Sequence, residues 1–322
     1  MLIIISSEVF NKVTARKILT GIEQAIEQNH SVVIEDMEHP AYLSWLEKCK
    51  AQLGEPDLIG LLEMQLSTSI FVISKRKIRV VETTTPRRKP DEVTIDELTN
   101  VLLRTFYFYV ENGRADKRFL FCVLGNQLKN DLEKLISKGS LVFENGGGIT
   151  ELAKKIDDDF MSREHLRLRS FVCFDSDAIE PNSPSEQAKA VVDVCETLEL
   201  PYYCLSRRAI ENYIPESALL QYAGGSETPT PLRDKRKKIA RAFSRLTSEQ
   251  KCHFHMKDGL KAKHGSIFET ISEPDKETLQ VGFGDHLSEC YKEGGYATYE
   301  KLKASDAWPE AQNIAKTIME AL

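Results

Sequence analysis

The residues Phe171-Val172-Cys173-Phe174 run directly into Asp175-Ser176-Asp177-Ala178. A short apolar run of this kind reads as a strand buried on both faces, as in the middle of a parallel sheet. Residues two apart on a strand point the same way, so Asp175 and Asp177 are expected to project side by side past its carboxyl end. Open α/β sheets bind their ligands at that edge. Two carboxylates so close repel, and they stay ionised at neutral pH only with a cation between them. Hard oxygen donors paired in this way suit Mg²⁺ or Mn²⁺. The competing reading is a solvated turn, where Asp and Ser are ordinary residues. The rest of the chain has to decide.

The same alternation of apolar runs and helical spacing recurs before and after this stretch. Leu2 to Ile5 and Ser31 to Glu35 are strand-like, and Val13 to Ile26 carries Ile18, Leu19, Ile22 and Ile26 on one helical stripe. A helix is expected around Tyr42 to Gln52, then two strands, Phe71 to Ser74 and Ile78 to Glu82, joined as a hairpin by Lys75-Arg76-Lys77. Glu35, Asp36 and Glu38 follow a strand and read as a solvated loop. Thr83 to Pro90, polar, basic and with two prolines, reads as a linker. A helix from Thr94 to Leu103 has Asp96 and Glu97 in its first turn, where the helix dipole favours acids.

Phe106 to Val110 is an aromatic strand that ends in Glu111-Asn112-Gly113-Arg114-Ala115-Asp116, and a helix follows with Phe119, Leu120, Val123 and Leu124 on its apolar face. Leu141 to Phe143 is a further strand, closed by Asn145-Gly146-Gly147-Gly148, before helix from Ile149. After Phe171 to Phe174 come a helix from Ser185 to Leu198 and a strand from Pro201 to Leu205, leading into Ser206-Arg207-Arg208-Ala209-Ile210-Glu211. The β-α-β-α-β-α-β order predicts a parallel sheet with right-handed crossovers. Glu111, Asp175, Asp177 and Glu211 all fall at or just beyond strand carboxyl ends, which favours a metal site over a solvated turn. No GxxxxGK[ST] phosphate loop occurs.

The stretches YVENGRADKRFL, FENGGG, FVCFDSDA and LSRRAIENYIP together resemble a Toprim (topoisomerase–primase) domain, more specifically that of the overcoming-lysogenization-defect nucleases. In that family one strand ends in a Glu-Gly turn with an Asp shortly after, a later one in Asp-x-Asp, and a further one leads to an acid in a Glu-Asn-Tyr-like sequence. The resemblance covers about Phe106 to Pro215. Asn112 departs from it by separating Glu111 from Gly113, and Asp116 lies five residues after Glu111 where four is usual. The resemblance implies a metal-dependent nuclease cutting DNA or RNA, tRNA included. Glu111, Asp175 and Asp177 would be catalytic and would hold Mg²⁺ or Mn²⁺, with Asp116 and Glu211 as further ligands. It also implies a late catalytic lysine near the metals, Lys257 or Lys263, with Lys263 the first candidate. Many relatives in that family carry an ATPase domain; none is legible in this sequence, which points to a stand-alone nuclease or to one controlled by a separate ATPase subunit, and the resemblance further implies an anti-phage defence effector.

Beyond Pro215 the chain reads as helical, with a Gly, Ser, Thr and Pro loop from Gly224 to Pro231. Arg233, Lys235, Arg236, Lys237, Lys238, Arg241 and Arg245 then concentrate on one helix. With Arg207 and Arg208 beside the acids, they form the expected nucleic-acid surface, although the formal net charge is -6 and does not by itself advertise such a partner. His253 and His255 alternate as on a strand and could share a metal, but no third ligand at usable spacing supports this. The full expectation is an α/β protein with a Toprim-like central parallel sheet flanked by helices at 91–222. A small α/β domain precedes it at 1–90, and a mainly helical, partly basic region follows at 223–322. The 41% hydrophobic and 29% charged composition fits a soluble globular chain of 322 residues, able to oligomerise. No membrane-length apolar run, no secretory leader and seven cysteines without a CxxC pair point to the reducing cytoplasm. The alternatives are a haloacid-dehalogenase-type phosphatase with Asp175 as nucleophile, a nucleotide-sugar transferase, or a Toprim module that only binds nucleic acid or a partner.

Overall fold

Among the described residues two four-stranded parallel sheets form, each flanked by helices, and the chain divides into two compact units: Met1–Thr105 with Met319–Leu322, and Phe106–Ile318. The computed structural model describes residues 1–27, 30–53, 60, 77–82, 89, 91–162, 164–225 and 229–322. Among them no helix is long and apolar enough to cross a membrane.

In the first unit, β1 (Leu2–Ile5) lies between β2 (Ser31–Ile34) and β3 (Lys77–Val80), with β4 (Glu92–Val93) outside β3, all parallel. Ile3, Ile5, Val32, Ile78 and Val80 are buried, with Ile18 and Ile22 of the helix Ala15–Glu27. That helix packs against Ile95–Leu103, whose start is fixed by a reciprocal cap between Thr94 and Glu97. Of the expected hairpin, Phe71–Ser74 and the turn residues Lys75 and Arg76 lie outside the described residues. Lys77–Val80 pairs in parallel with β1. Most of the expected linker, 83–88 and Pro90, also lies outside them.

The break between units falls after Thr105 and not after residue 90. β4 adds to the first sheet and the helix Ile95–Leu103 packs on the first unit, so residues 91–105 belong there. Nor does the expected region 223–322 form a unit of its own: up to Ile318 it belongs to the compact unit Phe106–Ile318, and Met319–Leu322 groups with the first.

In that unit β5 (Phe106–Val110) lies between β6 (Leu141–Asn145) and β7 (Ser170–Phe174), with β8 (Tyr202–Cys204) outside β7, all parallel. Every residue of β7 is buried, as a strand covered on both faces requires. On one face Tyr109, Val172 and Phe174 pack with Leu152, Ile156 and Val191. On the other, Phe108 stacks on Phe143 and meets Phe171 edge-on. The order β6-β5-β7-β8 means the chain steps from β5 to one side and then returns to the other. The carboxyl ends of β5 and β7 therefore bracket a topological switch point, where parallel sheets open a crevice.

Candidate functional site

Glu111 leaves the end of β5 and Asp175 the end of β7, and across the switch point the backbone N–H of Asp175 donates to Glu111 Oε1 at 2.7 Å. The other end of the Glu111 residue is held by glycine. Its carbonyl accepts from the N–H groups of Gly147 and Gly148 at 3.1 and 3.2 Å, with φ values of +77° and +107° that an L side chain resists. With the N–H of Gly146 on the carbonyl of Val110 at 2.7 Å, the three glycines hold the strand end that carries Glu111.

Asn112, the residue that departs from the family pattern, is a working part of the turn. Its Oδ1 accepts from the N–H groups of Arg114 and Ala115, and its own N–H donates to the Asp116 carboxylate at 2.8 Å. Asp116 is buried at the start of the helix Ala115–Ser137.

On the β7 side, Asp175 Oδ1 accepts from the N–H of Ile210 at 3.0 Å, which ties it to the short helix carrying Glu211. Ser176 is buried, and its hydroxyl donates to the carbonyl of Arg207 at 2.9 Å. Asp177 is exposed and held in the left-handed region at φ 48°, a conformation Asp tolerates better than most residues. Its N–H donates to the carbonyl of Arg208 at 2.9 Å.

Glu211 is only 2% exposed, and the Lys257 ammonium lies 3.4 Å from its Oε1. Burial pushes Glu111 up to about 8 against the pull of the Asp175 amide; Asp116 and Asp177 push it further and Lys257 pulls it back. Burial likewise raises Asp116 to about 7, with the Asn112 amide and Lys257 opposing and Glu211 adding to the rise. Asp175 lies well above the usual carboxylate range, through burial first and then through Glu111, Asp116, Glu211 and Asp177. Burial pulls the Lys257 ammonium down, but Glu211, Asp175 and Asp285 together outweigh it and hold it above its ordinary value. The five acids expected from the sequence thus feel one another's charge, and Lys257 is the cation that answers them.

An all-carboxylate donor set with excess negative charge fits a hard divalent ion in chemistry and in sign. As the side chains stand, no three His, Cys, Asp or Glu among the described residues are grouped to hold one. Glu111 and Asp175 each commit one oxygen to a backbone N–H, so an ion would have to draw their remaining oxygens together.

Two further expectations meet a different outcome. Lys263 is exposed; it is the carbonyl of this residue that takes part, accepting from Arg208, while Lys257 supplies the ammonium at the acids. Arg207 and Arg208, expected on phosphate, are each 7% exposed. Arg207 lies over the Tyr213 ring, donates to the carbonyl of Asn212 and pairs with Asp306 at 3.4 Å. Arg208 donates to the carbonyls of His253 and Lys263. Flanked by Leu205 and Ile210, both arginines enter the core and shape the loop instead of meeting solvent. His253 is buried with Nδ1 on the carbonyl of Ala178, and His255 Nδ1 accepts from the N–H of Asp258, so the two do not converge.

The basic helix is Thr230–Ser244, with Lys235, Lys237, Lys238 and Arg241 exposed and Arg233 and Arg236 half-buried. The loop between Ser206 and Tyr213 is clamped from far along the chain. Glu310 accepts from the Ser206 N–H at 2.7 Å and from the Tyr213 hydroxyl, and the Tyr291 hydroxyl donates to the carbonyl of Ile210 at 2.8 Å. The residues that sequence reasoning missed are Asn112, Ser176 and Asn212. Asn212, 5% exposed, sends both amide hydrogens to the carbonyls of Lys251 and Phe254.

No protein-family model, curated protein or solved structure matches this chain.

Proposed function

We propose that Phe106–Ile318 is a Toprim-like, metal-dependent nuclease that hydrolyses phosphodiester bonds of DNA or RNA. The observation that carries this reading is the meeting of Glu111 and Asp175 at the switch point, 2.7 Å from carboxylate to backbone amide, with Asp116, Asp177 and Glu211 close enough to raise the acids' pKa values. Glu111, Asp175 and Asp177 are the residues to hold Mg²⁺ or Mn²⁺, with Asp116 and Glu211 beside Lys257 as a second set. When bound, such an ion supplies charge neutralisation at the scissile phosphate and activation of a water. Where the ion is held by the aspartates instead, Glu111, raised to about 8, suits proton transfer close to neutral pH through the oxygen that Asp175 leaves free. Lys257 offsets acid charge and presents an ammonium to a phosphate oxygen. The role as an anti-phage effector, and control by a separate ATPase subunit, rest on the family resemblance alone.

The test is cleavage of labelled plasmid, single-stranded DNA and tRNA with and without Mn²⁺, by the wild type and by Glu111→Gln and Asp175→Asn. Mn²⁺-dependent cutting that falls at least about a hundredfold in both variants, with unchanged circular dichroism, supports the reading. Release of phosphate from small monoesters with a phosphorylated Asp175 replaces it with a phosphatase. Nucleic-acid retention without cutting under any metal, in the presence of candidate partners, reduces it to a binding module.

A further inference from the structure

Beside the acids lies a groove of about 490 Å³, between the basic helix and the segments around Lys257–Ala262 and Val281–Gly284. Its size is that of a small-ligand pocket. Lys235, Arg236, Lys257 and Lys261 line it against a single carboxylate, Asp258. Lys235 and Lys261 are exposed and have no carboxylate partner among the described residues, so their charge is uncommitted. Arg236 is fixed by stacking on Tyr222 at 4.5 Å, and its Nε is shut from water without a hydrogen-bond partner among the described residues. The opposite character lines the same space: Leu232, 42% exposed and backed by the buried Ile239 and Phe283, forms an apolar wall. A cationic rim over an apolar wall matches one ligand chemistry, an anionic group joined to a flat apolar ring. Lys257 belongs to both places, since it lines the groove and its ammonium reaches Glu211.

We propose that this groove anchors one nucleoside phosphate, with the base against Leu232, Ile239 and Phe283 and the phosphate on Lys235, Arg236 and Lys261. This deepens the nuclease reading and rests on it: the nucleotide belongs to the substrate strand, and Lys257 marks the way from the anchor to the acids. A base enters such a groove only when it is out of its stack, so the site selects an unpaired strand over a duplex.

The experiment measures binding in EDTA, so that no cleavage is needed. Fluorescein-labelled oligothymidylate and the matching duplex are titrated by anisotropy into the wild type, into Lys235→Glu/Lys261→Glu, and into Lys237→Glu/Lys238→Glu. The last pair makes the same charge change on exposed positions of the basic helix that do not line the groove. Thermal unfolding confirms that both variants fold. The single strand is expected to bind more tightly than the duplex. The groove variant should weaken strand binding about tenfold or more, the value of one lost base and phosphate contact, and the control pair much less. Competition by free thymidine monophosphate identifies a site that also takes a loose nucleotide; its failure with strand binding intact restricts the site to the strand. Equal weakening by both pairs, no effect of either, preference for duplex, or no binding at all overturns the proposal. Loss of cleavage in the acid variants leaves this measurement untouched, and failure here leaves the acid site standing.

Discussion

The carboxylate of Glu111 accepts the backbone N–H of Asp175 at 2.7 Å, joining the ends of the two central strands of the second sheet. Neither residue reaches the other without the strand order that sets β5 beside β7. The pair is therefore a product of topology, and burial and the surrounding acids weigh against its ionisation, an imbalance that Lys257 answers only in part.

That imbalance has a pH signature. Glu111 is raised from an ordinary 4.5 to about 8, so the native state keeps a proton that the unfolded chain has already released. Native stability is thus greatest below the ordinary value and is lost as pH rises through about 8. In EDTA the melting temperature should fall across that window. Glu111→Gln should flatten the fall, and added Mn²⁺ should raise the melting temperature most at the alkaline end. A variant whose pH profile coincides with the wild type in EDTA contradicts the charge assignment.

Lys257, and not Lys263, should govern the acids. Lys257→Met removes the cation beside Glu211, so it should raise the Glu111 and Asp116 pKa values and move the rising limb of the activity profile to higher pH. Lys263→Met should leave the profile in place, because the charge of Lys263 acts on Glu186, whereas Lys257 is the lysine that pulls on Glu111 and Asp116. Rate against pH for the three proteins decides it.

Arg207→Ala should act through stability. The guanidinium is buried between Tyr213, the Asn212 carbonyl and Asp306, and its removal leaves those groups without their partner. A loss of about 2–4 kcal/mol in urea unfolding is expected. At a temperature where the variant stays folded, its affinity for oligonucleotide should match the wild type.

Gly125 interrupts the helix Ala115–Ser137 with φ +71°, and a Cβ there would come within 2.8 Å of the Tyr299 ring. Gly125→Ala combines a disfavoured backbone with a clash and should destabilise by about 1–3 kcal/mol. Gly139→Ala, also at positive φ but in open space, isolates the backbone share, and chemical denaturation of the two measures the difference.

The strands were legible because burial on both faces leaves a plain mark: FYFYV and SFVCF are apolar almost without break, and the acids follow them directly. The unit boundary was not, since β4 is two residues long and carries no periodicity to read. Arg207 and Arg208 misled for a related reason. An adjacent arginine pair reads as surface charge, and only the carbonyls of Asn212, His253 and Lys263, remote or irregular in sequence, reveal them as internal. Asn112 looked like a break in a spacing rule, yet an amide side chain there can serve two helix-start N–H groups at once, a signal that capping logic could have found. Lys257 and Lys263 could not be told apart because the turn between them has no period.

Tyr213 finds its acceptor, Glu310, only after 97 further positions of chain. At ordinary elongation rates that interval lasts roughly 5–20 seconds. During it a ribosome-bound chain already displays Glu111 and Asp175 but lacks the fastening that shapes the neighbouring loop.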